Sequence, residues 1–255
     1  MYIISMLSGG LDSTYLLWHL LKNTTHHIHA HHLRYSYPDF VSDRCDIEQT
    51  ATRAIVYWCR ENIRDFEYSE SFHELNGRKL NAHAWYAMQG VSMIHAGFGE
   101  VMATGRILSE TTERGVEYIN RSWQFFDLVS ETAGAPNAKR TTKDGKPFKG
   151  HWVTPIIGKT KADIFAELPD ELIDMTSSCW RPNYNYAGVV EICGECINCL
   201  RRKQAREYIA QGMSTEEIND LICRTPVNDS SPSGPVHQPK WKPWPNDFEE
   251  MERTS

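Results

Sequence analysis

Two groups of residues in this chain have the types and spacing that chemistry requires. The first is the run "LSGGLDST", Leu7 to Thr14. Gly9 and Gly10 lack a Cβ, so a turn built on them can take positive φ and let ligand oxygens approach backbone N–H groups. Ser8, Ser13 and Thr14 add hydroxyl donors. If a helix begins here, its unpaired N–H groups and positive dipole end favour phosphate. The run reads as a pyrophosphate cradle. It is neither of two better-known phosphate loops: G-x-x-x-x-G-K-[ST] needs a lysine that is absent, and G-x-G-x-x-G needs another glycine spacing.

The second group is Cys179, Cys193, Cys196 and Cys199, in "SSCWRPNYNYAGVVEICGECINCLRRK". The C-x-x-C-x-x-C spacing brings three thiolates round one centre, and the upstream cysteine completes a tetrahedral set. Four sulfurs, with Gly194 in the tight turn, suit Zn²⁺ in a closed structural site. An iron–sulfur cluster is the rival occupant, disfavoured because the ferredoxin run and its C-P pair are missing. The other cysteines, Cys45, Cys59 and Cys223, are scattered and read as core residues. Seven cysteines, an odd count, do not read as a disulfide framework. His29 and His31 would share one strand face, a two-ligand set too small to define a metal site, so strand or surface roles are expected for them.

These residues must be positioned by regular elements. Tyr2 to Leu7 is an apolar run of strand length, and Leu11 to Leu21 carries apolar residues at helical spacing, so the cradle lies between a strand and a helix. Further strands are expected over Ile28 to Leu33, Phe66 to Ser69, Glu100 to Gly105 and Trp152 to Ile157. Helices are expected over Asp43 to Asn62, Asn81 to Phe98, Gly158 to Leu168 (entered from Thr160) and Asn198 to Gln211. Such alternation predicts an α/β fold with a parallel, Rossmann-like sheet covered by helices on both faces. Ligands of such sheets sit at the carboxyl ends of strands, which places Leu7, Leu11 and Gly105 beside the cradle residues in the nucleotide site. Three regions follow: 1–176 with the sheet and the cradle, 177–224 as a small helical region knotted by metal, and 225–255 as a Pro/Ser-rich extended or disordered tail bearing Trp241 and Trp244. The segment Ala135 to His151, with five Lys or Arg against one Asp, reads as a solvated loop.

The SGG-x-DS signature resembles that of the PP-loop ATP pyrophosphatases, which split ATP between the α and β phosphates to adenylate a substrate. On that resemblance Ser8, Gly9, Gly10, Ser13 and Thr14 hold the pyrophosphate and Asp12 positions it or its Mg²⁺. Followed by "TPIIGKTKADI", Thr154 to Ile164, and by "SSCW…CGECINCLRRK", it resembles more narrowly the 7-cyano-7-deazaguanine synthase family, the QueC or ExsB type, over roughly the first 210 residues. That resemblance implies ATP, Mg²⁺ and Zn²⁺, a homodimer, and conversion of 7-carboxy-7-deazaguanine to its nitrile with ammonia and two equivalents of ATP. It makes Asp12 and Lys161 the catalytic pair, Lys161 matching the family's "LTKAE" lysine, with Lys159 in reserve. Where the family carries Tyr-Gly-Gln-Arg-His, this chain reads "LRYSYPDFVSDRCDIEQ", so the acceptor site differs most. Other readings are a repurposed relative that makes an amide or joins a deazaguanine to a macromolecule, a PP-loop tRNA sulfur-transferase, and a zinc module that binds ATP or a protein partner without catalysis.

The formal net charge of −6 argues against an extensive nucleic-acid footprint, which a sulfur-transferase acting on tRNA would need. No basic n-region with an apolar core opens the sequence, and no apolar run approaches the roughly 18 residues of a membrane span, so a cytoplasmic protein is expected.

Overall fold

The computed structural model describes residues 2–36, 43–74, 101–105, 151–179, 182–184, 190–214 and 217–218. Its order is β1 (Tyr2–Met6), α1 (Leu11–Asn23), β2 (His27–Ser36), α2 (Asp43–Asn62), β3 (Glu67–Glu74), β4 (Val101–Ala103), β5 (His151–Val153), α3 (Lys161–Glu167), α4 (Asp170–Met175), β6 (Asn183–Tyr184), β7 (Val190–Glu191) and α5 (Ile197–Ala210). The helix expected over 81–98, the basic loop up to residue 150 and the tail 225–255 lie outside the described residues.

Five strands form one parallel sheet in the order β3-β2-β1-β4-β5. From β1 the chain moves outward to β2 and β3, then returns to place β4 on the other side of β1. The strand order therefore reverses between β1 and β4, and a crevice opens there at the carboxyl ends. The α/β expectation holds.

Ile3, Leu7, Ile28, Ala30 and Ala103 line one face and share a single core with residues of α1 to α4, and with Ala205 of α5. Ile4 and Met102 alternate onto the opposite face and are each only 1% exposed, so that face is covered too.

β2 carries an unusual load for an inner strand. His29 and His31 are buried and share one face, as their spacing predicted. They are satisfied in series: His29 Nδ1 lies 2.6 Å from the Tyr2 hydroxyl and Nε2 2.7 Å from Ser69 Oγ. His31 Nδ1 lies 2.7 Å from the same Ser69 oxygen and Nε2 2.9 Å from Ser71 Oγ. The β2–β3 register, His31 opposite Ser69, makes this ladder possible. These histidines are sheet residues.

Several elements differ from expectation. β3 runs on to Glu74, because Ser69 and Ser71 face the histidines of β2 and pairing continues past the apolar stretch. β5 stops at Val153. Pro155 has no N–H for a ladder, and Thr154 to Lys159 instead fold into a turn, with Ile157 N–H on the Thr154 carbonyl and Lys159 N–H on that of Ile156. The apolarity of Ile156 and Ile157 reflects burial in that turn. The short α4 and the β6–β7 hairpin carried no pattern long enough to read. Among the described residues no helix is long and apolar enough to cross a membrane.

Candidate nucleotide and metal sites

β1 delivers the chain to its carboxyl edge at Met6, where Leu7 N–H bonds the His31 carbonyl at 2.9 Å and Leu7 C=O accepts from His32 Nδ1 at 2.9 Å. Burial pushes the His32 ring below its ordinary pKa of 6.5, against the upward pull of that carbonyl bond and of Glu48 and Glu70. The loop therefore starts from a neutral, fixed imidazole.

Gly9 takes φ +73°, and a Cβ there would meet the Glu48 carbonyl at 2.8 Å and Thr52 Oγ1 at 2.9 Å. No side chain fits between the loop and α2. Gly10 caps α1 with no side-chain hydrogen bond of its own. Its carbonyl gathers the first turn: it accepts Thr14 N–H at 3.0 Å, Thr14 Oγ1 at 2.8 Å and Ser13 Oγ at 3.1 Å. Ser8 N–H and Ser8 Oγ both reach Ser13 Oγ, at 3.1 and 3.0 Å. Thr14 is fully buried, so its hydroxyl shapes the turn from behind. Leu7 and Leu11 send their side chains into the core and offer only backbone. The amides of Asp12 and Ser13, among the helix's first N–H groups, have no acceptor among the described residues.

Gly105 closes the loop from the β4 side. A Cβ on it would stand 2.9 Å from the Asp12 carbonyl carbon and 3.0 Å from Ser13 N, so only glycine lets β4 end against the opening turn of α1. The third approach comes from α3, entered through a capping box: Asp163 N–H on Thr160 Oγ1 at 3.2 Å and Thr160 N–H on Asp163 Oδ2 at 2.8 Å. That box aims the next residue, Lys161, whose Nζ donates to Asp12 Oδ1. Both side chains are about a quarter exposed, at 23% and 25%. Lys159 is committed elsewhere, 2.5 Å from Glu167, which also accepts from the buried Tyr15 hydroxyl. Asp12 and Lys161 are thus brought together across 149 positions of the chain, and Lys159 is not with them.

Cys179, Cys193, Cys196 and Cys199 converge, with all four Sγ atoms within 4.8 Å of one another. Cys179 and Cys193 stand 3.5 Å apart, Cys196 and Cys199 3.4 Å, and Cys193 and Cys199 4.0 Å. A tetrahedral ion with ~2.3 Å metal–sulfur bonds sets its sulfurs about 3.8 Å apart, so these distances fit a single Zn²⁺. A four-iron cluster spreads its thiolates over four metal atoms and needs wider spacing. The knuckle is shaped by Gly194 at φ +73° and by two backbone donors to sulfur, Cys193 N–H on Cys179 Sγ and Cys196 N–H on Cys193 Sγ, each 3.3 Å. Within the 13-residue interval between Cys179 and Cys193, β6 pairs with β7, Asn183 opposite Glu191. Burial raises the Cys199 thiol above its ordinary range. Cys59 is buried alone, its thiol pushed up to about 12 by burial, and is inert.

Sequence reasoning missed how the two sites touch. Ser177 N–H donates to the Gly9 carbonyl at 2.8 Å, and Leu11 N–H donates to Ser178 Oγ at 3.3 Å. Ser177 and Ser178 directly precede the first cysteine. That adjacency was the available signal.

No protein-family profile matches the chain, and no curated protein matches it. Among solved structures it is similar to the U34-tRNA thiolase NcsA from Methanococcus maripaludis with its [4Fe-4S] cluster, at 13% identity and a TM-score of 0.45, covering 88% of this chain and 70% of that one.

Proposed function

We propose that the protein is an AMP-forming, ATP-dependent ligase of the PP-loop kind, and that its acceptor is the carboxylate of 7-carboxy-7-deazaguanine. The observation that carries the ATP reading is the crevice between β1 and β4. There a glycine turn, the first amides of α1 at Asp12 and Ser13, and the Asp12–Lys161 pair lie together. The acceptor follows from the order of the three motifs in the sequence.

In this reading Ser8, Gly9, Gly10 and the first turn of α1 hold the pyrophosphate portion of ATP, with Ser13 and Thr14 fixing the turn. The acceptor carboxylate attacks the α-phosphorus, pyrophosphate leaves, and an acyl-adenylate forms. Ammonia then displaces AMP to give the amide. A second ATP adenylates the amide oxygen, and loss of AMP with two protons leaves the nitrile. A free carboxylate is a poor acyl donor and its anhydride with AMP a good one, so the protein's work is orientation and neutralisation of phosphate charge. Lys161 supplies the positive charge. Asp12 would hold the magnesium ion that accompanies ATP, which would neutralise phosphate charge. The four cysteines would hold Zn²⁺ as a closed structural site, fixing the course of the chain from 177 into α5. Residues 1–176 carry the adenylation chemistry, 177–224 the metal knot and 225–255 the tail.

The test is to incubate the zinc-loaded protein with ATP, Mg²⁺, ammonia and 7-carboxy-7-deazaguanine, following AMP and the mass of the deazaguanine together. Acceptor-dependent AMP with a nitrile product is expected. Asp12→Ala and Lys161→Ala should each lose about a hundredfold in kcat, while Lys159→Ala, whose amine serves Glu167, should keep activity. AMP released with no change in the deazaguanine would keep the ATP chemistry and refute the acceptor.

A further inference from the structure

Three consecutive residues tie the glycine turn to the sulfur cluster. Ser177 bonds the Gly9 carbonyl through its N–H, at 2.8 Å. Ser178 takes the Leu11 N–H on its hydroxyl oxygen at 3.3 Å, while its own carbonyl accepts Asn198 Nδ2 at 3.0 Å. Cys179 enters the cluster. Asn198 sits between Cys196 and Cys199 in the first turn of α5, so the group that fixes Ser178 is itself flanked by two of the sulfurs.

α1 begins at a glycine that offers no capping side chain. Its cap is Ser178, 167 positions away. Ser178 is only partly buried, and its hydroxyl hydrogen has no acceptor among the described residues. An oxygen that accepts from a helix N–H and still carries an uncommitted proton can pass that polarisation on, from N–H to O–H to an anionic oxygen. The segment just before it is secured separately. Arg202 of α5 donates to the Thr176 carbonyl at 2.7 Å and to that of Ile173. Release of the cysteines therefore frees 177–179 locally.

We propose that Ser178 is a phosphate-contacting residue of the nucleotide site and that Asn198 is the positioning residue linking it to the metal, so that metal and nucleotide bind cooperatively. This rests on the glycine turn being the ATP site. With the metal bound, Cys179 and Asn198 hold Ser178 over the opening turn of α1, and its hydroxyl donates to a phosphate oxygen. With the metal gone, both constraints on Ser178 relax. Linkage then requires the reverse effect: ATP must slow metal loss by the factor that metal improves ATP binding.

The experiment measures ATP·Mg²⁺ binding calorimetrically and zinc release into an excess of a chromogenic chelator, with and without ATP. Wild type is compared with Ser178→Ala, Ser178→Thr and Asn198→Ala, each checked for its thermal transition. A hydrogen bond to a charged group predicts about a tenfold loss of ATP affinity in Ser178→Ala and its recovery in Ser178→Thr. Asn198→Ala should fold and bind both ligands, yet lose most of the ATP effect on zinc release. ATP binding unchanged in Ser178→Ala, or zinc release from wild type indifferent to ATP, overturns the proposal. Failure of zinc-loaded wild type to bind ATP would instead remove the nucleotide reading on which it stands.

Discussion

The lysine nearest the glycine turn does not wait as a free cation. Lys161 lies on Asp12, so the two opposite charges meet as a pair. The two glycines that matter most do different things. Gly9 satisfies a left-handed backbone and a tight approach to α2, whereas Gly105 serves only closeness. Gly105→Ala drives a methyl into the backbone of Asp12 and Ser13. It should destabilise the fold by about 1–3 kcal/mol and weaken ATP binding, read by denaturant titration and calorimetry. His32 gives a pH signature. Its folded pKa is depressed by burial, so above 6.5 its contribution to stability is complete. As pH falls below 6.5 the unfolded chain takes up a proton that the folded ring refuses, and stability declines by up to about 1.4 kcal/mol per pH unit. His32→Asn, which keeps a donor for the Leu7 carbonyl, should flatten the difference between denaturation curves at pH 7.5 and 5.5. At this scale the sequence declared Ser8 to Thr14, Gly105, Lys161 and the four cysteines, because each belongs to a short local pattern. It was silent on Ser178, His32 and Asn198, whose partners are distant in the chain.

At the scale of elements, the helix α3 is a seven-residue segment whose value lies in its start. Thr160 and Asp163 bond reciprocally, and the residue they deliver first is Lys161. Thr160→Ala should cost about 1 kcal/mol in a chemical unfolding titration and lower kcat with it, while Thr160→Ser restores both. The capping residues were readable in "KTKADI", as were α1 and the whole of α2, whose apolar periodicity is long. Strand ends were less so. β5 looked longer than it is because Ile156 and Ile157 are apolar for a turn's reason, and β3 looked shorter because its later residues are polar partners for histidines. A strand of two residues, as in β6 and β7, leaves no periodic trace. It nevertheless pairs within the long interval between Cys179 and Cys193.

For the whole molecule, Ala205 and Ile218 share the core of the sheet, so the segment that follows the cysteine cluster packs with the sheet among the described residues. Removing the metal should therefore be felt throughout. The purified chain should carry one zinc ion by atomic emission, with four thiols unreactive to a chromogenic disulfide until a chelator is added. The chelated protein should melt lower by on the order of 10 °C. Iron in place of zinc, with the broad visible absorption of a cluster, would overturn the zinc assignment. The parallel α/β architecture was legible in the alternation of strand and helix patterns. The joining of the two sites was not, because nothing local in "SSC" states which loop its hydroxyls will reach. That joining also sets an order of events during synthesis. The glycine turn is synthesised before its cap: the serine that caps its helix follows 167 residues later. At roughly 5–20 residues per second that is an interval on the order of ten to thirty seconds. Through it a nascent chain holds a turn with its shape begun and its cap unmade, and the turn is completed only when that distant serine has arrived.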